Sequence, residues 1–317
     1  MNYLEAFARL IQESSSSEET SDLGLRVREI LMCLRIPLTS SHEGVRAATL
    51  KAVRYLVRNK KDVVAVTKVN LHHLIVRALD LETDNRPERV QAVKLARKML
   101  VFGGSDYPAS LVSCLVAIVQ RGAGGGKEPR DSLWRAGLAL LCELSCHNSE
   151  LFLSSGCVRV VSAALLDCHN TPRLTEAVIA CLMQLYSSPV WRQSSGVDLS
   201  LLVSPYTEIP HSDTDTARLE TAATTVLSLL RSWPGLLHLT STRLTTRPLH
   251  SLLNILYLDS YQARRSILDL LYKSLSLQVK TSPLPQSLLI ISYPEGSRVD
   301  GRVRGGDEDG RPRLPPA

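Results

Sequence analysis

The sequence predicts an all-α solenoid, and three observations predict it. The first is size. A chain of 317 residues is past the point at which one compact core keeps growing, so it divides into domains or stacks into an array. The second is the kind of apolar residue. Hydrophobic residues make up 44% of the chain but aromatics only 5%, with three Phe, whereas strands lean on β-branched and aromatic side chains. Leu fills the core instead, and Leu favours helices. The third is a striped apolar segment that recurs along the chain.

The segments are GVRAATLKAVRYLV, ERVQAVKLARKML, LWRAGLALLCELS, LTEAVIACLMQLY, ARLETAATTVLSLL and QARRSILDLLYKSL. Each carries apolar residues at helical spacing with small residues between them. Leu50, Val53 and Leu56 form the first stripe, and Val93, Ala96 and Met99 the second. Leu138, Leu141 and Leu144 form the third, and Val178, Cys181 and Leu185 the fourth. Val226 with Leu229 and Ile267 with Leu270 continue the series. The anchors Leu50, Val93, Leu138, Val178, Val226 and Ile267 stand 43, 45, 40, 48 and 41 residues apart. That is the period of armadillo and HEAT repeats, about 40–47 residues with two or three helices each. A lone helical hairpin cannot bury both faces, so neighbours stack into a continuous core. The expected fold is therefore an armadillo/HEAT-type α-solenoid, a right-handed superhelix of stacked helical repeats.

Partner helices fall between the stripes. One is VTKVNLHHLIVRALDL, closed by ETDNRPE, where Pro87 suits the first turn of the next helix. ASLVSCLVAIVQ is closed by GAGGGK, and CVRVVSAALLDC by HNTPR. Each repeat thus reads as helix, polar break, helix, polar break. Trp191 to Ala217, with Pro205, Pro210 and the acidic run HSDTDT, interrupts the pattern and reads as a long loop, functional or disordered. From Gly296 onward the chain is rich in Gly, Pro and mixed charge and has no stripe, which predicts disorder. The expected organisation is a repeat domain over 1–292 and a tail over 293–317, with Ser14 to Ser17 as a smaller linker.

The net charge of +6 is partly concentrated between Gly44 and Leu79. Arg46, Lys51, Arg54, Arg58, Lys60, Lys61, Lys68 and Arg77 stand there against a single acid, Asp62. Such a window suits phosphate groups, nucleic acid or an acidic partner. The favoured reading is plainer: a solvated helix face whose acidic counterparts come from other repeats. No aromatic residues interleave to support base stacking, which argues against nucleic acid. Cys33, Cys114, Cys142, Cys146, Cys157, Cys168 and Cys181 sit mostly in apolar runs. Their odd count, irregular spacing and the absence of an export signal point to reduced thiols in a cytoplasmic protein. Glu5 and Arg9 make the opening MNYLEAFARLIQ an amphipathic helix. No stretch approaches the roughly eighteen apolar residues of a membrane span.

Catalytic motifs fail one by one. In GAGGGKEPR, Gly126-Lys127 precedes Glu128, and the first glycine position of a phosphate loop is Arg121, so a helix–helix loop is the better account. Asp213-Thr214-Asp215-Thr216 lacks the buried strand a phosphotransfer aspartate needs and reads as an N-cap. Cys142, Cys146, His147, Cys168 and His169 lack the tight knuckle spacing of structural zinc, and thiols beside an apolar stripe pack as small hydrophobes. His72-His73 is a vicinal helical pair expected to point in different directions. No HExxH, Gly-x-Ser-x-Gly or kinase-type loop set is present. The sequence thus assigns no catalytic, cofactor-binding or metal residue, and no small-molecule substrate.

One stretch carries a resemblance. GVRAATLKAVRYLVRNKKDVVAVTKVNLHHLIVRALDLETDNRPERVQAVKLARKML closely resembles the N-terminal armadillo-like region of the Rictor family, rapamycin-insensitive companions of the TOR kinase. LVSPYTEIPHS, LLRSWPGLLHL and QARRSILDLLYKSL follow in the same order, so the resemblance covers roughly Tyr3 to Ser292 and lapses after about Ile291. It implies a non-catalytic regulatory and scaffolding subunit of TOR complex 2 that assembles with the TOR kinase and a Sin-type partner. That complex phosphorylates AGC-family kinases such as Akt and affects actin organisation. Members of the family are several times longer, so this chain corresponds to an N-terminal part. The rivals are a generic armadillo adaptor and a nucleic-acid-binding solenoid using the Arg46–Arg77 window. Importin-type adaptors place Asn four residues after Trp. Here Trp134 is followed at that spacing by Leu138, Trp191 by Ser195 and Trp233 by Leu237, so that ladder is missing.

Overall fold

Apolar positions at helical spacing drive the chain into helices whose striped sides only another helix can cover. The structure, a computed structural model, describes residues 3, 6–10, 26–79, 85–122, 132–168, 171–194, 200–207, 213–240, 248–257 and 261–275. All of them belong to one unit, Met1–Leu277, and no strand occurs among them. The tail over 293–317, the Ser14–Ser17 linker and the glycine run after Gly122 lie outside the described residues.

Helix α1 (Val27–Leu38) leads into the first striped helix, α2 (Glu43–Leu56). Helices α3 (Lys60–Lys68) and α4 (His72–Ala78) then bring the chain back to the second, α5 (Arg86–Gly103). A 3-10 turn over Gly104–Asp106 and the partner helix α6 (Ala109–Gly122) precede α7 (Ser132–His147). The cycle continues through α8 (Ser149–Ser154), α9 (Cys157–Leu165) and the striped α10 (Pro172–Ser187). It runs again through α11 (Pro189–Ser194), α12 (Ser200–Thr207) and α13 (Asp213–Arg231). Helices α14 (Trp233–Leu239) and α15 (Pro248–Asn254), then a 3-10 turn over Ile255–Tyr257, lead to α16 (Tyr261–Ser274).

The six striped helices α2, α5, α7, α10, α13 and α16 pack in that order, each on the next, and the partners α4, α6, α9, α12 and α15 form a second row. This is the all-α solenoid the periodicity predicts. Leu50, Leu138, Val178, Val226 and Ile267 are fully buried. Val93 is only half-buried. Ala92 and Leu95 take the core positions of α5 instead, so the second anchor is shifted along the helix.

Two further expectations change. The polar break after each striped helix is itself an element: α3, the 3-10 turn, α8, α11 and α14 fill it. The repeat therefore has three parts rather than two. VTKVNLHHLIVRALDL is accordingly not one helix. Asn70 sits at φ 56°, and the Leu71 amide reaches back to the Val66 carbonyl at 3.1 Å, the Schellman closure that a left-handed Asn permits. The expected loop over Trp191 to Ala217 also holds a helix. Leu202, Val203 and Tyr206 of α12 are buried, and α12 packs on α9, α13 and α15.

Polar contacts repeat with the same period. Arg46 Nε donates to Glu88, Lys60 Nζ to Ser105, and Arg97 to Glu143. Lys98 Nζ donates to the Arg54 carbonyl, Asn148 Nδ2 to the Gly104 carbonyl, and Arg231 to the Lys273 carbonyl. The partners are separated by 42, 45, 46, 44, 44 and 42 residues. Each bond therefore ties a residue to the neighbouring repeat. Exposed pairs such as Arg97–Glu143 contribute little energy, but they fix the register between stacked units.

Candidate protein-interaction surface

The basic window from Arg46 to Arg77 does not form one patch. Arg46 is buried and structural. Its guanidinium meets Glu88 Oε2 at 2.7 Å and donates to the carbonyls of Ser40 and Ser41 at 2.7 and 2.8 Å. Lys60 pairs with Asp106 at 3.1 Å. Both acids come from the following repeat, as the plainer reading of the window expects. Lys61 and Lys68 on α3 and Arg77 on α4 are exposed. Lys51, Arg54 and Arg58 lie on or just after α2.

These last three meet cations that the window did not include. Lys98 of α5 donates to the Arg54 carbonyl at 2.7 Å. Its ammonium is pushed below the usual lysine range, first by burial and then by Arg54 and Arg58, with Asp62 opposing. Arg86, Val90, Lys94, Arg97 and Val101 stand exposed along α5. Stacking the repeats in register would have exposed this signal, because Lys94 falls on the striped helix that follows Lys51.

Between the first turns of α2 and α5 lies a groove of about 430 Å³ lined by Ala8, Gly44, Ala47, Ala48, Lys51, Arg86, Pro87, Val90 and Gln91. Its floor is small and apolar because Gly and Ala let the helices approach. Lys51 and Arg86 supply charge at its edge. A second groove, of about 220 Å³, runs between α13 and α16, with Glu220, Asp269 and Lys273 among its lining residues.

Among the described residues, which do not include His169, those considered for chemistry are dispersed. Gly122, where the glycine run begins, closes α6, and a side chain there would collide with the Trp134 ring. Trp134 in turn donates from Nε1 to the Val119 carbonyl at 3.1 Å. Glycine is required here for packing. Asp213 opens α13. Cys142 and Cys168 are buried, whereas Cys146 is exposed and bonds to Gln184 Oε1 at 3.1 Å. The hydrogen bond with Cys181, and then burial, push the Cys142 thiol far above its ordinary range. Burial raises Cys157 to about 12. Thiols held protonated in this way act as small packing groups. His72 and His73 do not point apart: their ring centroids are 4.0 Å from each other. Burial, and then the neighbouring His73, lower the pKa of His72. No group of three metal-ligating side chains comes together among the described residues. None of the helices there is long and apolar enough to cross a membrane.

Stacked helical repeats with a grooved, charged row of exposed helix faces define an α-solenoid. The chain belongs to the family described as "Rapamycin-insensitive companion of mTOR, N-term", whose model matches residues 2–301. It is 30% identical over 306 residues to "Rapamycin-insensitive companion of mTOR" of Mus musculus and of Homo sapiens, covering 92% of this chain and 17% of each relative. It is 23% identical over 300 residues to "Protein pianissimo A" of Dictyostelium discoideum, covering 88% of this chain and 25% of that protein. The chain thus spans about a sixth of the length of the mouse and human relatives. The family match continues past Ser292 to residue 301, so the likeness does not lapse at Ile291.

Proposed function

We propose that this chain is a non-catalytic scaffold unit of a TOR-kinase assembly of the TOR complex 2 type. On this reading it docks through its helical repeats onto the TOR kinase and a Sin-type subunit, in the cytoplasm. The assembly would then act on AGC-family kinases and on actin organisation. The observation that carries the reading is the family match over residues 2–301. The physical chemistry supports it. Repeat arrays present long rows of exposed helix faces at fixed spacing, which suits contact with large partners. Among the described residues, the surroundings of Cys142 and Cys157 hold their thiols protonated, and no group of three metal-ligating side chains comes together.

The test is affinity purification of the tagged chain from cell lysate at low and moderate salt, read by mass spectrometry. Recovery of the TOR kinase with its Sin-type partner is expected. Recovery of chaperones alone would contradict the assembly role.

A further inference from the structure

We infer that the groove between the first turns of α2 and α5 is a docking site for an acidic protein segment that carries one apolar anchor residue. This inference rests on the scaffold reading above and adds the partner's chemistry.

Three features of the groove converge on such a ligand. The first is shape and lining. Gly44, Ala47, Ala48 and Ala8 leave a small apolar recess walled by Pro87 and Val90. Val90 is 43% exposed, so an apolar surface stands ready to be covered. A groove of this lining and size has room for an aliphatic side chain with the backbone on either side of it, and it holds no aromatic ring on which a base could stack.

The second feature is unanswered charge. Lys51 and Arg86 edge the groove, and Lys94 is exposed one turn beyond Val90. Among the described residues no carboxylate pairs with any of the three. Among the described residues the nearby acids are already engaged or few. Glu88, in the first turn of α5, turns inward to Arg46, Asp62 caps α3, and Glu143 holds Arg97. Glu43, in the first turn of α2, is left exposed. Uncompensated positive charge on neighbouring helices opposes the free state and is relieved by an anionic partner.

The third feature is the backbone. Both helices start beside the groove, so both positive dipole ends lie near it. The N-cap residues His42 and Asn85 make no side-chain cap bond to their helices. Asn59, Asn148 and Ser232 do cap α3, α8 and α14. Two long helices thus bring their N-termini to the edge of one cationic, apolar-floored recess. Carboxylates on either side of the seated anchor would meet Lys51, Arg86 and these helix ends.

The experiment uses the full chain and a short fluorescein-labelled peptide of mixed Asp and Glu with one central Leu, followed by fluorescence anisotropy. The same peptide with Lys for every acid, and with Ala for the Leu, are the controls. The acidic Leu peptide should bind most tightly, and more weakly as salt rises. Lys51→Glu with Arg86→Glu should weaken it by about tenfold or more, the scale of losing desolvated charge contacts. Ala47→Leu, which narrows the recess without changing charge, should weaken it as well. Thermal melts confirm that each variant folds. On the unaltered chain, a photoreactive Leu analogue in the peptide should label α2 or α5. Equal binding of the Lys peptide, labelling elsewhere, or tighter binding of single-stranded RNA or phosphatidylserine vesicles would overturn the inference. A chain that enters the TOR-kinase assembly but ignores the peptide loses this inference and keeps the scaffold reading. A chain that binds the peptide but no kinase assembly does the reverse.

Discussion

Arg46 shows how a single residue can hold two repeats together. Its guanidinium is spent on Glu88, in the core, and on two half-buried carbonyls of the α1–α2 turn. Replacing it by Met leaves Glu88 buried without a partner. The Arg46→Met variant should lose about 3–5 kcal/mol of stability, read by urea unfolding. Adding Glu88→Leu should restore most of that loss, because the cost lies in the abandoned charge. A single variant as stable as the parent would show that the pair carries no stability. His238 is a second residue of this kind. It is fully buried and stacks on Tyr186 at 4.2 Å, with neither nitrogen hydrogen-bonded. Burial, then Arg192, lower its pKa from 6.5 to about 4. The folded state therefore keeps the neutral ring while the unfolded chain takes up a proton. The stability is fully present above pH 6.5 and is lost as pH falls from there toward 4. The loss should be about 2 kcal/mol once solvent screening is allowed for. His238→Phe should remove this part of the pH dependence in denaturant titrations. An unchanged pH profile would show that His238 is not its source.

At the level of the element, RSWPGLL shows local chemistry fixing a junction. Ser232 caps α14 through the Gly235 amide at 3.1 Å and also reaches Met183 Sδ at 3.0 Å. Gly235 lies so close to the Leu229 carbonyl that any side chain would strike backbone. Gly235→Ala should therefore cost about 2–4 kcal/mol, well beyond the usual helix-propensity change, measurable by thermal melting. A melt unchanged from the parent would mean that the junction can open freely. The striped helices were legible in the sequence because each buries a continuous apolar face. The short third element of each repeat was not. Six-residue pieces such as α8 and α11 show less than two turns of periodicity, and polar caps such as Asn148 look like loop residues until the helix is seen. Asn70 was the one available sign that α3 and α4 are separate. Helix α12 was hidden by its internal Pro205 and by the polar residues around it.

At the scale of the whole molecule, period is the organising quantity. Apolar anchors recur every 40 to 48 residues, and six polar ties between neighbouring repeats span 42 to 46. The candidate groove was only half legible. Lys51 was visible within its basic run, but Arg86 and Lys94 join it through stacking, which a linear charge count does not register. Helix α16, the last striped helix among the described residues, carries another consequence. Tyr261, Leu268 and Tyr272 of α16 are 51%, 45% and 44% exposed. Glu220, Leu227 and Arg231, their counterparts one repeat earlier on α13, all face α16. Apolar residues left on a face that elsewhere meets another helix favour self-association. Leu268→Lys with Tyr272→Lys should reduce oligomers in sedimentation velocity, and an unchanged distribution would exonerate that face. The scaffold assignment itself is tested most directly by reconstitution. Purified TOR kinase, a Sin-type subunit and this chain would be mixed and weighed by mass photometry. The account predicts a complex whose mass includes all three components. A well-folded chain that stays apart from the other two would contradict it.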